Sequence, residues 1–190
     1  MLILASRSPR RQALLKAAGL EFRVVVPLVE DTTPSCVRGS YSALARRSAV
    51  EKALSIGPRR EIVLGADTIV VCEGEALGKP RGEADARRML RKLSGKWHGV
   101  YTGVALVQGA RRLIGYERTE VAFRELSKRE IDWYVETGEP LDKAGAYAIQ
   151  GAGAGLIRTL RGCYTNVIGL PLPKLLGMLA EFEAEGRAER

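Results

Sequence analysis

The chain has 190 residues, 46% of them hydrophobic, which fits one globular domain with an ample core. A net charge of +8, from 30 Lys and Arg against 22 Asp and Glu, predicts attraction to a polyanion such as nucleic acid, an anionic membrane or a small phosphate compound. Aromatic residues make up only 6% of the chain and the basic residues form short doublets. The chain therefore has too few aromatic side chains for an extended surface on which nucleic-acid bases could stack. We therefore do not expect nucleic acid as the main partner.

The cysteine and histidine content indicates the cellular compartment and limits the kinds of metal site that the chain can form. The three cysteines are widely spaced without a CxxC pair, which indicates neither a disulfide framework nor a zinc knuckle and fits a reducing cytosol. The chain starts with apolar residues followed by arginines, the reverse of a signal peptide, and no apolar run approaches the length of a membrane span. We expect a cytoplasmic protein without membrane association. The one histidine, His98, excludes a two-histidine metal motif.

The first third of the chain alternates strands and helices. The apolar run at 1–5 predicts a buried strand, and Ser8 followed by proline predicts the cap of a helix that ends at Gly19. A second strand is expected at about 22–26 and a longer helix at about 40–55.

The middle third continues the alternation. A strand is predicted at 62–71, and after a Gly-rich turn a helix at 83–93 with apolar residues at helical spacing. The segments 100–107 and 113–124 alternate well enough for a hairpin with its turn near Gly109.

The last third begins with a capping box, formed by Ser127 and Glu130, which predicts a short helix ending near Gly138. An amphipathic helix is expected from about Leu172, and the tail 181–190 reads as frayed. Further strands are predicted at 145–150, 156–160 and 164–168. Helices interspersed with strands predict a single α/β domain over 1–190, built on a mixed sheet with flanking helices.

An anion site is outlined at the start of the first helix. Ser6, Ser8 and the free backbone N–H groups of the first turn lie beside several arginines. A capped helix with solvated arginines explains the same pattern. Familiar nucleotide loops are absent, since "LSGKWHG" lacks the Ser or Thr of a Walker A motif and "GAGAGL" lacks the last glycine of GxGxxG.

Asp67 interrupts an apolar strand in "IVLGADTIVV", and two interpretations of it stay open. Its carboxylate either caps a neighbouring backbone turn or lies in a cleft, where it holds Mg²⁺ or takes a proton from water. Thr68 adds a hydroxyl beside it. Other charged side chains lie near predicted element ends or in loops, and each taken singly reads as a surface charge: Glu30, Lys52, Lys79, Glu139, Asp142 and Lys143.

Together these segments resemble one family, the Maf nucleotide pyrophosphatases. The motifs "LASRSPRR", "EKA", "VLGADTIVV", "GKP", "LSGKWHGVYTG", "TGEPLDKAGAYAIQGAG" and "YTNVIGLP" follow the family's order and spacing over roughly 2–172. The resemblance implies a fold like that of the inosine-triphosphate pyrophosphatases, with two lobes around a cleft, and a homodimer. It also implies hydrolysis of nucleoside triphosphates to monophosphate and pyrophosphate with a divalent cation, Mg²⁺ or Mn²⁺.

The resemblance assigns roles to individual residues of this chain. Asp67 matches the family's proton acceptor, and Glu30 together with Asp67 matches its metal-binding carboxylates. Four further residues match its serine and its phosphate-facing cations: Ser6, Arg11, Lys52 and Lys79. Developing negative charge on a phosphoryl group requires such cationic neighbours.

Base choice is implied by Arg10, Thr68 and Gln150, which resemble the family branch that acts on dTTP and UTP, and modified pyrimidine nucleotides stay open as substrates. A glutamine amide has a donor and an acceptor, so it can match the edge of uracil or thymine. Ala148 stands where the family usually has glycine, which leaves the preference between dTTP and UTP open. We expect His98 to order a loop instead of binding metal.

The alternative function belongs to another class. A basic protein that regulates cell division, and binds DNA or a protein partner without turnover, fits the net charge and the family's link to septum formation. The carboxylate at Asp67 and the cations at Lys52 and Lys79 favour the enzyme, because a binding module has no need of this combination.

Overall fold

A seven-stranded mixed sheet lies at the centre of the protein, in a computed structural model that describes residues 1–29 and 40–188. The strand order is β2-β1-β3-β5-β6-β7, with β4 paired to β3. The strands are β1 (Leu2–Ala5), β2 (Phe22–Val25), β3 (Ile62–Cys72), β4 (Glu75–Leu77), β5 (Trp97–Gln108), β6 (Arg111–Phe123) and β7 (Ile157–Arg161). β1 runs parallel to β2 and β3, and all other pairs are antiparallel. The expectation of an α/β fold with a mixed sheet and flanking helices is confirmed.

Helices flank this sheet and join its strands. They are α1 (Pro9–Ala17), α2 (Tyr41–Leu54), α3 (Glu83–Leu93), α4 (Lys128–Glu136), α5 (Tyr164–Ile168) and α6 (Leu172–Ala188), with 3-10 turns at Glu139–Asp142, Ala144–Ala146 and Gly151–Leu156. The Ser8 side chain caps α1, and Ser127 and Glu130 form both bonds of the capping box before α4. α6 continues into the stretch expected to be frayed. Within the described ranges, no helix combines the length and apolar character needed to span a bilayer.

The two faces of β3 pack against different helices because strand side chains alternate. On one face α2 packs against Ile69 and Val63. On the other face lie two separate apolar clusters: one joins Leu64 to α1 and α6, and the other joins Val70 to α3 and α4. A polar residue, Thr68, lies between these clusters on the second face.

Two glycines allow α2 to approach the sheet closely. A Cβ added to Gly65 would lie 2.1 Å from the carbonyl oxygen of Ala49, and one added to Gly103 would lie 2.1 Å from that of Ala45. Since both carbonyls belong to α2, any side chain at these positions would push the helix away. The glycines therefore allow the short distance between α2 and the two strands β3 and β5.

Two predicted strands are wrong. Gly145 and Ala146 have φ values of 70° and 57°, so left-handed backbone breaks any strand at 145–150, and the stretch is irregular after the 3-10 turn. The segment at 164–168 is the helix α5, although its β-branched and aromatic residues favour a strand. Packing overrides that preference, because the helical turn brings the buried amide of Asn166 within hydrogen-bonding distance of Val100 and Thr119. The short strand β4 was not predicted.

Candidate active site

A cleft of about 790 Å³ lies between the start of α1 and the segment at 139–151. The sequence-predicted site residues that line it are Ser6, Arg10, Arg11, Lys52, Asp67, Thr68, Lys79 and Gln150. Glu30, predicted to bind metal, lies outside the described residues. The fold thus brings together side chains from the first residues of the chain, such as Ser6, and from its last third, such as Gln150.

Asp67 lies where the sheet opens along one edge of β3. β1 pairs with β3 as far as Gly65, and β4 begins its pairing at Val70, so Asp67 falls between the two partner strands. Its carboxylate Oδ1 accepts a hydrogen bond from Nζ of Lys52 at 2.5 Å. The side chains are 15% and 6% exposed, respectively, so the pair is largely removed from water. The close approach of α2 places Lys52 at this point.

Thr68 faces the opposite side of β3 from Asp67, where it meets α1. Its hydroxyl accepts a hydrogen bond from Nη2 of Arg11 at 3.2 Å and lies 3.0 Å from the hydroxyl of Thr102. Arg11 also donates to the hydroxyl of Ser6 at 3.2 Å and to the carbonyl of Gly169 at 2.8 Å. With 8% of its surface exposed, Arg11 is fixed by these bonds as a buried positive charge at the cleft wall. The structure therefore joins Thr68, predicted to read the base, to Arg11, predicted to face the phosphates.

The other wall of the cleft consists of turns. Arg10 donates from Nη1 to Oδ2 of Asp142 at 3.2 Å, and Nζ of Lys143 lies 2.5 Å from Oδ1 of the same carboxylate. Within the described part of the chain, no residue hydrogen-bonds the exposed amide of Gln150, which leaves that amide available to a ligand. Arg10 and Gln150 thus lie in the same cleft as predicted, on opposite walls.

His98 lies behind the cleft. Its Nε2 is 2.8 Å from the hydroxyl of Tyr147, a cleft-lining residue, and its ring packs edge-on against Phe123 and Tyr147. Burial lowers the pKa of His98 to about 4, so the ring is neutral at physiological pH. Burial likewise raises the pKa of Tyr147. Both rings therefore act as uncharged packing groups that hold the cleft wall.

Sequence reasoning missed several residues that shape the site. Glu139, Asp142 and Lys143 read singly as surface charges, yet all of them line the cleft. The buried amide of Asn166 was also missed, because its segment was predicted to be a strand. One feature of the sequence could have indicated that this segment lines the site: "TGEPLDKAGAY" is rich in charged residues and directly follows a predicted helix end, where functional loops often lie.

A divalent cation fits this cleft only with help from a ligand. Among residues 1–29 and 40–188, no group of three His, Cys, Asp or Glu side chains is arranged to hold a metal ion. Mg²⁺ is commonly held by one or two carboxylates together with substrate phosphates and water. Asp67 supplies one such carboxylate at the cleft, so the described residues fit a cation that is shared with a phosphate ligand.

Comparison with known proteins identifies the family. Residues 1–182 match the family model described as Maf-like protein. The chain belongs to the Maf family. A protein of Symbiobacterium thermophilum named dTTP/UTP pyrophosphatase is 52% identical over 183 residues, covering 95% of this chain and 93% of the relative. One of the same name from Bacillus cytotoxicus is 48% identical over 187 residues, covering 96% and 95%, respectively.

Among solved structures, a nucleoside-triphosphatase described as a dITP/XTP pyrophosphatase, from Mycobacterium abscessus, aligns over 98% of this chain and 96% of its own. The identity is 14% and the TM-score is 0.43. The detailed likeness to the inosine-triphosphate pyrophosphatases, with two lobes around a cleft, stays a prediction.

Proposed function

We propose that this Maf-family protein hydrolyses dTTP and UTP to the nucleoside monophosphate and pyrophosphate. The observation that carries the proposal is the contact between Asp67 and Lys52 in a cleft that Arg11 and Lys79 also line. It places a carboxylate that can accept a proton beside cations that can bind phosphates. The names of the relatives at 52% and 48% identity supply the substrate class.

In the proposed reaction Asp67 takes a proton from a water molecule as the oxygen of that water attacks the α-phosphorus. The bond between the α-phosphorus and the oxygen that bridges to the β-phosphorus breaks, and pyrophosphate leaves with the electron pair. Lys52, Arg11 and Lys79 stabilise the charge that develops on the phosphate oxygens. A divalent cation held by Asp67, Glu30 and the phosphates supplies further positive charge when it is bound.

Base selection is proposed for the turn-built wall of the cleft. The Gln150 amide offers one donor and one acceptor to the edge of uracil or thymine, and cytosine presents a different pattern there. Arg10 at the opposite wall completes the pocket. Modified pyrimidines that keep this edge are expected to be accepted too.

We also propose that residues 1–190 form one domain, that the active form is a homodimer and that the protein is located in the cytoplasm. The family membership and the continuous sheet through the described residues support the first of these.

Product analysis tests the function. The protein and Asp67→Asn are incubated with Mg²⁺ and separately with UTP, dTTP, CTP, GTP, ATP and 7-methyl-GTP. We expect pyrophosphate from UTP and dTTP at much higher rates than from the other nucleotides, CTP included, and its loss in the variant. Pyrophosphate from 7-methyl-GTP at a rate comparable to UTP would overturn the base assignment but not the reaction, whereas orthophosphate, or no product from any nucleotide, would favour the binding protein.

A further inference from the structure

A buried tyrosine and a carboxylate brace the segment at 147–153, which runs into the 3-10 turn Gly151–Leu156 and which we call the Gln150 loop. The Tyr134 hydroxyl, on α4, donates to Oε1 of Glu139 at 2.8 Å and accepts the backbone N–H of Ala148 at 3.0 Å. Glu139 in turn accepts the backbone N–H groups of Ala152 at 3.2 Å and Gly153 at 3.0 Å. The brace therefore holds the loop by its backbone at both ends.

The contact between Glu139 and this loop is close as well as polar. A Cβ added to Gly151 would lie 2.5 Å from Oε2 of Glu139, and Gly151 has φ of 67°, a left-handed conformation that favours glycine. The loop backbone thus lies directly against the carboxylate. Tyr134 is fully buried, so the brace is anchored in the apolar core.

Gln150 lies between the braced positions. Ala148 precedes it and Ala152 follows it, and both donate their backbone N–H groups to the brace. No hydrogen bond to the described residues orients the Gln150 side chain itself. The direction of that side chain consequently depends on the backbone that Tyr134 and Glu139 fix.

We propose that Glu139 is a positioning residue for base selection, which fixes the Gln150 loop and thereby determines the preference for uracil and thymine over cytosine. The inference rests on the proposed function, since it names the device by which that activity distinguishes its substrates. Glu139 acts through Gln150 in this account, and not on the reacting phosphate.

A carboxylate suits this position better than an amide. The Glu139 oxygens accept from the Tyr134 hydroxyl and from two backbone N–H groups. An amide has only one acceptor oxygen, so Glu139→Gln would turn an NH₂ group toward at least one backbone donor while keeping the size of the side chain. Such a mismatch shifts the loop without emptying the core.

The test measures the ratio of kcat/KM for UTP to kcat/KM for CTP. We expect Glu139→Gln to lower this ratio on the order of tenfold, the effect of about one misplaced hydrogen bond. The ratio does not depend on the folded fraction of the sample, because both substrates see the same molecules. Glu136→Gln, an exposed acid at the end of α4, is the matched control and should leave the ratio unchanged.

A double-mutant cycle separates positioning from a general structural role. If Glu139 acts through Gln150, then Glu139→Gln added to Gln150→Ala should not lower the ratio further. Tyr134→Phe, which removes the other half of the brace, should lower the ratio in the same direction. An unchanged ratio in Glu139→Gln, or additive effects in the cycle, would overturn the inference. Failure of the wild-type protein to release pyrophosphate would instead refute the proposed function, so the two failures are distinguishable.

Discussion

The two walls of the cleft are built in different ways. The wall assigned to the phosphates consists of side chains on regular elements, with Lys52 on α2, Asp67 on β3 and Arg11 on α1, linked mainly through side-chain contacts. The wall assigned to the base consists of turns, and its key contacts run from side chains to the backbone. In the proposed assignment, rigid elements hold the groups that act on the triphosphate common to all nucleotides, whereas turns provide the shape that distinguishes one base from another.

Removing a cation from the phosphate wall should give the largest effect. We expect Lys52→Met to lower kcat/KM about 10²- to 10³-fold for UTP and CTP alike, because every nucleotide carries the same triphosphate. Steady-state assays with both substrates check this, with circular dichroism to correct for the folded fraction. Lys92→Met is the matched control, because Nζ of Lys92 lies 2.5 Å from Glu75 in an ion pair outside the cleft. A changed ratio of UTP to CTP activity would contradict the division between the walls.

Acidification should weaken the base wall through His98. Its folded pKa of about 4 lies below the value of about 6.5 for free imidazole, so protonation favours the unfolded chain. The contribution of the neutral His98 ring to the free energy of unfolding is therefore fully present above pH ~6.5. It is lost as the pH falls toward 4, and the loss is about 3 kcal/mol. Denaturant unfolding across this range measures it.

The matched variant for that experiment is His98→Gln, since the chain has one histidine. In this variant the free energy of unfolding depends on pH through the carboxylates alone. The difference between its pH dependence and that of the wild type therefore measures the contribution of His98. Identical slopes for the two proteins would show that the ring is not held neutral.

A side chain that pushes α2 away from the sheet should disturb the phosphate wall, with a smaller effect than the loss of Lys52 or the protonation of His98. Gly103→Ala places a methyl group against the Ala45 carbonyl, and we expect a loss of about 1–3 kcal/mol in the free energy of unfolding. Activity toward all nucleotides should fall with it, because Lys52 moves relative to Asp67. Gly177→Ala, at a helical glycine of α6 with open space around it, is the control and should stabilise by up to about 1 kcal/mol. Equal stabilities of the two variants would refute the close approach.

Weakening the ion pair that connects the walls should give the smallest effect. The Arg10 and Asp142 side chains are 29% and 63% exposed, and exposed pairs contribute about 0–1 kcal/mol. We expect Asp142→Asn to change the UTP to CTP ratio by at most about fivefold, less at high salt. A shift as large as that of Glu139→Gln would mean that Arg10, and not the Gln150 loop, dominates selection.

Sequence patterns predicted the phosphate wall well because local rules govern it. The Ser8 cap and the apolar run around Asp67 predict α1 and β3 within one or two residues. Motif similarity then supplied Lys52 and Arg11 as neighbours of Asp67, and the structure confirms that they line one cleft.

The base wall was predicted less well because long-range contacts decide its conformation. The stretch at 145–150 reads as a strand, but left-handed backbone at Gly145 and Ala146 forms a turn there instead. Nothing in the sequence next to Tyr134 or Glu139 indicates that these side chains hold the backbone as far along the chain as Gly153.

The sequence by itself determined the fold class, the family and a set of site residues, Asp67 and Lys52 among them, that line one cleft. Hydrophobic periodicity, caps and motifs are local in the chain, so they can be read from it directly. Only the tertiary structure decided which partners Asp67 and Thr68 meet on the two faces of β3, and that Glu139 holds the Gln150 loop. Those relations depend on which elements pack together, and no local pattern encodes that choice.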